Sequence, residues 1–327
     1  MFEPRKLPTV LYAEELLDKA FRRASKVGGR NRKEKAINKL ATISNTLSDY
    51  FDKIIKSHPS YDSLPEFYRE TIDVVVGIGK IKKSLAALKW ANEMSQKIIT
   101  RSIKKIKGGK DIDETLKATY GRIASIVSQI DEELRFLNEA KQKMREIPVF
   151  KDLPTVVVAG YPNVGKSSFV AKISSVKPEI AVYPFTTKKI FVGFVDINGV
   201  KLQVVDTPGL LDRPIHKRNK IEKRAILCLK YLADCILFII DPTETCGYSL
   251  QSQMSLLNEI RREFKVKIIP AYSKADMHNK KDLPAFSSIS GEGISDVLEM
   301  VKKEVTAKKK SKRELSENLI QQHSDCS

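Results

Sequence analysis

The chain has 327 residues, of which 42% are hydrophobic and 30% are charged, and its net charge is +18. This composition excludes collagen-like and wholly disordered chains and leaves enough apolar residues for the cores of two domains. Residues 1–150 alone carry a net charge of +10, and such an excess favours a polyanionic partner.

The cysteines and the N-terminal segment indicate the cellular compartment to expect. Neither a Cys-x-x-Cys pair nor a suitably placed histidine suggests a zinc site, so we expect free thiols. The first residues, MFEPRKLP, lack the apolar core of a signal peptide, and no apolar run approaches the ~18 residues of a membrane span. We expect a soluble, cytoplasmic monomer that does not contact a membrane.

Helical periodicity dominates residues 1–150. A 4-3-4-3 apolar spacing predicts the clearest helix over 114–146, with Asp111 or Asp113 as its N-cap. A similar stripe predicts a helix over 31–56, and the capping-box pattern Ser63-Leu-Pro-Glu66 predicts a third helix that runs toward Ala86. Such helices with short connections predict an antiparallel bundle over 1–150.

Two dense clusters of basic residues lie within the predicted helical domain. Either an ordinary solvated surface or a polyanion-binding site would show this composition, and the near absence of acids keeps the second reading open. A further basic stretch, 302–313, leads into a polar tail over 309–327. The first cluster consists of Arg22, Arg23, Lys26, Arg30, Arg32, Lys33 and Lys35, and the second of Arg101, Lys104, Lys105, Lys107 and Lys110.

Strand and helix patterns alternate over residues 151–308. This alternation predicts a doubly wound α/β domain with a mainly parallel sheet and a ligand at the carboxyl ends of its strands. The predicted strands are 155–159, 189–197, 201–206, 234–241, 267–273 and 285–288, and the predicted helices are 166–174, 218–232, 248–263 and 294–307.

A phosphate-binding loop is predicted between the first strand and the first helix of this domain. The octet Gly160-Tyr-Pro-Asn-Val-Gly165-Lys166-Ser167 fits the pattern G-x-x-x-x-G-K-[ST] in its required setting. Lys166 is expected to reach the β- and γ-phosphates, and the Ser167 hydroxyl to bind Mg²⁺. The predicted phosphate-binding residues are Gly160, Tyr161, Pro162, Asn163, Val164, Gly165, Lys166, Ser167 and Ser168.

A second phosphate-side motif, Asp206-Thr-Pro-Gly209, ends the next strand but one. Asp206 at that place can hold Mg²⁺ through a water molecule, and the Gly209 N–H can donate to a γ-phosphate. Mg²⁺ is therefore the predicted cofactor.

A base-binding motif, Ser273-Lys-Ala-Asp276, follows a later strand. Asp276 can accept hydrogen bonds from the ring N–H and amino group of guanine, an edge that adenine does not present. Lys274 can lay its aliphatic stem along the ring. The backbone N–H groups of Ser287, Ser288 and Ile289 are candidate donors to the guanine oxygen.

These four elements resemble the signature of the translation-factor-like GTPases. The stretch Tyr183-Pro-Phe-Thr-Thr187 is similar to switch I of the Obg-related branch. The resemblance implies that Thr187 binds Mg²⁺ together with Ser167 and Asp206. It also implies GTP hydrolysis with Lys166, Thr187 and Gly209 as the catalytic residues.

Four longer stretches resemble the nucleolar GTP-binding protein (Nog-type) family. They are Asp206–Pro214, Arg218–Glu222, Arg30–Glu34 and Ser63–Arg69. The resemblance implies a helical bundle fused to a GTPase domain that binds GTP and GDP. It also implies a role in large-subunit assembly through ribosomal RNA and large-subunit precursors. Because the long C-terminal extension of eukaryotic members is lacking, the chain resembles a compact, archaeal-type member.

Three positions depart from common GTPase patterns. Ser273 replaces the usual Asn and Ser288 the usual Ala, so we expect a weaker nucleotide affinity. Leu210 stands where Ras-like enzymes have a water-orienting glutamine, so we expect slow basal hydrolysis. Asn163 either helps to bind K⁺, a second candidate cofactor, or braces the loop through side-chain-to-backbone hydrogen bonds.

Two alternatives remain open from the sequence alone. The chain is either an enzyme or an RNA-binding scaffold that bound GTP stabilises with negligible hydrolysis; Leu210 and Ser273 favour the scaffold. A third reading is an Obg-related signalling GTPase that acts on a protein effector.

Overall fold

The computed structural model describes residues 6–175, 179–182, 189–214, 216 and 220–307. The chain forms two compact units, Met1–Arg145 and Glu146–Ser327. None of the described helices is long and apolar enough to cross a lipid bilayer.

The first unit is helical, as the sequence predicts. Its core is formed by apolar side chains that repeat at helical spacing, among them the fully buried Leu40, Leu88 and Leu137. The helices are α1 (Ala13–Ser25), α2 (Arg32–Ser57), α3 (Glu66–Val75), α4 (Ile78–Lys107), α5 (Ile112–Gln129) and α6 (Asp131–Arg145), with a short 3₁₀ helix at Tyr61–Ser63.

Helix α2 confirms the prediction over 31–56, and its start shows why it begins there. The Asn31 side chain accepts a hydrogen bond from the Glu34 N–H at 2.8 Å. The Glu34 carboxylate accepts one from the Arg30 N–H at 2.7 Å. The first bond satisfies a backbone donor that a helix start leaves without a partner, and the second fixes the residue before the cap.

The predicted helix from Ser63 toward Ala86 is wrong in two respects. Ser63 does not cap α3, because it ends the 3₁₀ turn and its hydroxyl donates to the Ser60 carbonyl at 2.9 Å. Gly77 then separates α3 from α4 with φ of +90°, a conformation that glycine adopts at little cost. The Asp73 carboxylate accepts from the Ile78 N–H at 3.0 Å and so caps the new helix.

The predicted single helix over 114–146 is also two helices. It is interrupted at Ile130, and the next residues are three acids, which favour a helix N-terminus. The first acid, Asp131, accepts from the Ala13 N–H at 2.9 Å, a contact made at the start of the second helix. Of the two candidate caps, Asp111 accepts from the Glu114 N–H at 2.7 Å.

The second unit contains a six-stranded sheet with the order β2-β3-β4-β1-β5-β6. β1 pairs in parallel with β4 and β5, and β5 with β6, whereas β2, β3 and β4 pair antiparallel. The strands are β1 (Thr155–Ala159), β2 (Glu179–Val182), β3 (Lys189–Ile197), β4 (Val200–Asp206), β5 (Cys235–Ile240) and β6 (Lys267–Tyr272), and the helices are α7 (Lys166–Ile173), α8 (Lys220–Leu232), α9 (Leu250–Glu263) and α10 (294–307).

The sheet confirms the prediction of an α/β fold that is mostly parallel. The predicted strand over 285–288 is wrong, since only Ala285 forms a bridge, to Tyr272. The chain turns away at Ser287, whose N–H donates to the Glu292 carbonyl at 2.9 Å rather than to β6. The antiparallel strand β2 was not predicted.

The parallel strands bring four segments to one edge. β1, β4, β5 and β6 all point the same way, so their carboxyl ends lie side by side. Gly160, Asp206, Asp241 and Ser273 therefore meet at this edge.

Candidate nucleotide-binding site

The loop after β1 has a backbone that requires glycine at two positions. Gly160 has φ of +136°, and a Cβ there would lie 2.3 Å from the Ile239 carbonyl oxygen. Gly165 has φ of +99° where it precedes α7. These residues let the chain turn closely around a phosphate and enter the helix with its N–H groups directed at the ligand.

Lys166 is held inside this loop. It is 6% exposed, and its Nζ donates to the carbonyl oxygens of Gly160 at 2.9 Å and Tyr161 at 2.6 Å. Burial lowers the pKa of Lys166. The ammonium group is thus fixed by neutral oxygens, which leaves its positive charge available to an anion.

Asp206 faces the same loop and is fully buried at the end of β4. The Ser167 hydroxyl donates to its Oδ2 at 2.5 Å, while Oδ1 makes no hydrogen bond with any described residue. Burial raises the pKa of Asp206. A buried carboxylate oxygen without a partner is costly, so this position favours a cation or an ordered water.

The donor set fits Mg²⁺. A hydroxyl and a carboxylate are the hard oxygen ligands that Mg²⁺ takes when substrate phosphates complete its shell. Among the described residues no group of three or more His, Cys, Asp or Glu side chains could hold a metal by itself. One hydroxyl and one carboxylate leave most of the shell of a Mg²⁺ ion to phosphate oxygens and water.

A cavity of about 410 Å³ joins the loop to the segment after β4. Its size suits a small ligand. The Gly160 N–H donates to the Leu211 carbonyl at 3.1 Å, and the Leu210 side chain is fully buried. Thr187, which the resemblance implies as a further Mg²⁺ ligand, lies outside the described residues. The cavity is lined by Pro162, Asn163, Gly165, Lys166, Ser167, Ser168, Pro208, Gly209 and Asp212.

The predicted base motif lies beside this cavity. Ser273 is buried, and its hydroxyl donates to the Ile240 carbonyl at 3.2 Å. A Cβ on Gly165 would lie 3.8 Å from the Ser273 Cβ. The serine therefore packs near the phosphate-binding loop but directs its hydroxyl to β5.

Asp276 is exposed next to the loop after Ala285. A hydrogen bond from the buried Ser287 hydroxyl lowers the pKa of Asp276. The carboxylate is therefore held as an anion that accepts hydrogen bonds, as guanine recognition requires.

The backbone donors of this loop differ in availability. The N–H groups of Ile289 and Ser290 both donate to the Ser287 Oγ at 3.2 Å, and the Ile289 side chain is 83% exposed. The Ser288 N–H has no hydrogen-bond partner among the described residues. Of the three predicted donors, Ser288 is the one whose N–H is available to a base oxygen.

Asp241, at the end of β5, is a residue that the sequence analysis missed. It is fully buried and accepts from the Lys274 Nζ at 2.6 Å, from the Thr243 hydroxyl at 2.6 Å and from the Cys246 N–H at 2.8 Å. These bonds lower its pKa to about 2. Asp241 thus anchors the head of the lysine whose stem is predicted to lie along the base. Its position at the end of the predicted strand 234–241 marks this edge of the sheet but does not identify Lys274 as its partner.

In the helical unit the two basic clusters meet at one end of the bundle. Arg32 forms an ion pair with Asp113, and the Lys33 Nζ donates to the Lys107 carbonyl at 2.9 Å. The start of α2 therefore lies against the end of α4. A cavity of about 290 Å³ opens there with charges of both signs, and it is lined by Ser102, Lys105, Lys110, Asp111, Glu114, Thr115, Ala118, Thr119 and Arg122.

Fold and site together define the α/β unit as a P-loop domain of the GTPase type. The family model described as "NOG1 N-terminal helical domain" matches residues 4–151, and the one described as "Nucleolar GTP-binding protein 1 (NOG1)" matches residues 220–276. A relative from Methanocaldococcus jannaschii, described as an uncharacterized protein, is 44% identical over 84% of this chain and 81% of its own length. The chain belongs to the nucleolar GTP-binding protein family and is of the archaeal type.

Two further comparisons concern eukaryotic members. The nucleolar GTP-binding protein 1 of Drosophila melanogaster is 33% identical over 75% of this chain, and that match covers 38% of its own length. The chain thus spans less than half the length of this eukaryotic relative. A crystal structure described as a nucleolar GTP-binding protein 1 from Plasmodium falciparum is 27% identical, covers 54% of this chain and 100% of its own, and has a TM-score of 0.48.

Proposed function

We propose that this chain hydrolyses GTP to GDP and phosphate, with Mg²⁺ as its cofactor. The observation that carries the proposal combines two buried charges. Among the described residues Lys166, at the cavity, is hydrogen-bonded by carbonyl oxygens alone, and Asp206, behind Ser167, has one carboxylate oxygen without a hydrogen bond. A triphosphate with its divalent cation would supply the missing partner of each.

Each residue has a distinct role in this proposal. A bound Mg²⁺ would neutralise negative charge on the phosphate oxygens. Ser167 would ligate the ion through its hydroxyl, and Asp206 would hold one of its waters. Lys166 would donate to β- and γ-phosphate oxygens, and the Gly209 N–H to the γ-phosphate. Thr187 stays the predicted third residue at the metal.

Guanine selection rests on the two loops beside the cavity. Asp276 would accept from the ring N–H and the amino group, and the Ser288 N–H would donate to the ring oxygen. Since Asp241 fixes the ammonium of Lys274 at 2.6 Å, the lysine stem would be placed before the base arrives. The fixed position of Lys274 should offset part of the nucleotide affinity that is lost because Ser273 replaces the usual Asn.

Hydrolysis is expected to be slow. The fully buried Leu210 offers no amide to orient water, so the basal rate should lie nearer that of Ras alone, roughly 10⁻⁴ s⁻¹, than that of Ras with its activator.

The test is a calorimetric titration with GTP in Mg²⁺, followed by phosphate release. Lys166→Ala should weaken GTP binding by at least about 100-fold, because two or more charge-assisted hydrogen bonds are lost. Lys166→Met, which keeps the buried volume, should behave alike. Lys201→Ala, an exposed lysine at the opposite end of β4, should bind as the unaltered protein does. Unchanged affinity in both Lys166 variants would overturn the assignment.

We further propose that the helical unit binds ribosomal RNA during assembly of the large ribosomal subunit. The two basic clusters support this, since Lys33 and Lys107 bring them together at one end of the bundle. The family's name, nucleolar GTP-binding protein, supports GTP binding by the α/β unit, and its word "nucleolar" is compatible with a role in ribosome assembly. Sedimentation with large-subunit precursors, with and without a non-hydrolysable GTP analogue, tests the assembly role.

The burial of Leu210 favours a second candidate: a nucleotide-stabilised RNA-binding scaffold with negligible turnover. Phosphate release measured with and without large-subunit particles separates the two. Stimulation by the particles supports the enzyme, and a rate that stays at background in both supports the scaffold.

A further inference from the structure

Helix α4 carries nine basic residues and one acidic residue, Glu93. One side of α4 is buried in the bundle, from Ile81 to Ile106. On the opposite side lies an exposed strip in which four residues are spaced seven apart, close to two helical turns, and a fifth lies one turn after the third. The strip consists of Lys83, Trp90, Lys97, Arg101 and Lys104, all of them exposed.

The cations of this strip outnumber the acids beside them on α4. None of its four cations forms an ion pair with another described residue, whereas the neighbouring Lys82 is paired with Asp62 at 2.7 Å. Glu93 lies four residues before Lys97, yet it too forms no ion pair with a described residue. Unpaired cations in a row attract a linear polyanion over long distances.

Trp90 distinguishes the strip from an ordinary solvated helix face. It is the chain's one tryptophan, and 42% of it is exposed between Lys83 and Lys97. An indole ring on an open basic surface offers a stacking platform for a nucleobase. Only an unpaired base presents its ring face, because bases within a duplex are stacked on each other.

We propose that the strip on α4 binds single-stranded RNA, with Trp90 stacked on an unpaired base and the cations against the phosphates. The strip is about 32 Å long, since its ends lie 21 residues apart at a rise of about 1.5 Å each, so it would follow several nucleotides. The inference rests on the proposed RNA-binding function and specifies its RNA as unpaired.

The intrinsic fluorescence of the full chain tests the stacking directly, because Trp90 is its only source of indole emission. Three probes are titrated at constant ionic strength: a twelve-nucleotide single-stranded RNA, the same sequence as a duplex, and inorganic polyphosphate. The single strand should quench Trp90 strongly, and the duplex and polyphosphate should not. Equal quenching by polyphosphate would show an electrostatic surface without stacking and overturn the proposal.

Variants separate the stacking from the charge. Trp90→Ala should weaken single-strand binding by about 5- to 100-fold, since one stacked base is lost, whereas Trp90→Phe should keep most of it. Lys97→Ala should reduce the slope of log K against log salt by roughly 0.7. Lys265→Ala, an exposed lysine between α9 and β6, should change neither quantity; thermal unfolding checks the folding of each variant.

The two levels of the proposal fail differently. One outcome is that RNA binds with a steep salt dependence while Trp90 is not quenched and Trp90→Ala binds equally well. In that case the proposed binding of single-stranded RNA by the α4 strip is wrong, and the proposed RNA-binding function of the helical unit stands. If no RNA binds even at low salt, both the strip and the proposed RNA-binding function are wrong.

Discussion

The two units of this protein treat charge in opposite ways. In the α/β unit Lys166, Asp206 and Asp241 are buried and bonded to identified neighbours. On α4 of the helical unit, Lys97 and Arg101 are exposed without ion pairs to other described residues. Buried charges act at short range in fixed geometry, whereas exposed charges act at long range and are screened by salt. Nucleotide binding should therefore depend on single atoms, and RNA binding on summed charge.

The largest expected effect tests whether RNA binding by the helical unit depends on the sum of its exposed charges. If about five phosphates are neutralised, the slope of log K against log salt should be roughly −3 to −5. Replacing Arg22, Arg23, Lys104 and Lys105 together by Ala should flatten it to about −1 and weaken binding at 0.1 M salt by roughly 1,000-fold. The measurement is fluorescence anisotropy with a structured ribosomal RNA fragment.

A matched control replaces four exposed lysines elsewhere. They are Lys53, Lys56, Lys265 and Lys303. If this control loses as much RNA affinity as the cluster variant, binding depends on net charge alone and the clusters are not a site.

The second prediction tests the single-atom side. Asp276→Asn exchanges an acceptor for a donor, so the edge that accepts from guanine no longer fits. GTP affinity should fall roughly 100-fold, while xanthosine triphosphate, which carries an oxygen in place of the amino group, should bind more tightly than GTP. Asp296→Asn, an exposed acid on α10, should leave both affinities unchanged. A variant that still prefers GTP would remove Asp276 from the base site.

The third prediction concerns the anchor of Lys274. Asp241→Asn removes the charged partner of Lys274, so GTP affinity should fall about 10-fold. Binding of pyrophosphate, which has no base, should stay unchanged in calorimetry. Equal losses for both ligands would indicate a general structural role for Asp241.

Acid unfolding tests the same anchor by a different route. The pKa of Asp241 is lowered to about 2, below its ordinary value. Its bonds therefore stabilise the fold above about pH 4, and this contribution is lost as the pH falls toward 2. Asp241→Asn should lack that part of the pH dependence when unfolding is followed by circular dichroism.

The smallest expected effect concerns Asn163. Its φ is +61°, a conformation that asparagine tolerates, and its exposed side chain makes no hydrogen bond with another described residue. If Asn163 helps to bind K⁺, replacing Na⁺ by K⁺ at constant ionic strength should raise hydrolysis several-fold. Asn163→Gly removes the side chain, and glycine adopts the same positive φ at little cost. This variant should hydrolyse GTP at equal rates in Na⁺ and K⁺. Equal rates in both salts would leave Asn163 with a backbone role.

The phosphate side of the site was predictable because its residues are consecutive. A loop that wraps a phosphate needs Gly160, Gly165 and Lys166 at fixed spacing, so one short stretch of sequence is enough to predict its function. Asp241 and Lys274 are 33 residues apart and meet only because β5 and β6 are adjacent. No local pattern reports such a pair.

The helical unit shows the same limit in its secondary structure. Apolar periodicity locates the stripes correctly, because burial repeats with the helical turn. It does not report interruptions, since the stripe continues through Ile130. The breaks at Gly77 and Ile130 depend on a positive φ and on a contact from Asp131 to Ala13. Both are single-residue or long-range effects.

The fully buried side chain of Leu210 also limits how such a protein can evolve. A change to glutamine would install a water-orienting amide, but it would place a polar group in a packed core at a cost of about 2–4 kcal/mol. A single substitution that gained speed would thus lose much of a typical domain's stability. If the domain hydrolyses GTP as proposed, faster turnover would be more accessible through a group supplied by a second molecule, and its rate would then depend on where it is bound.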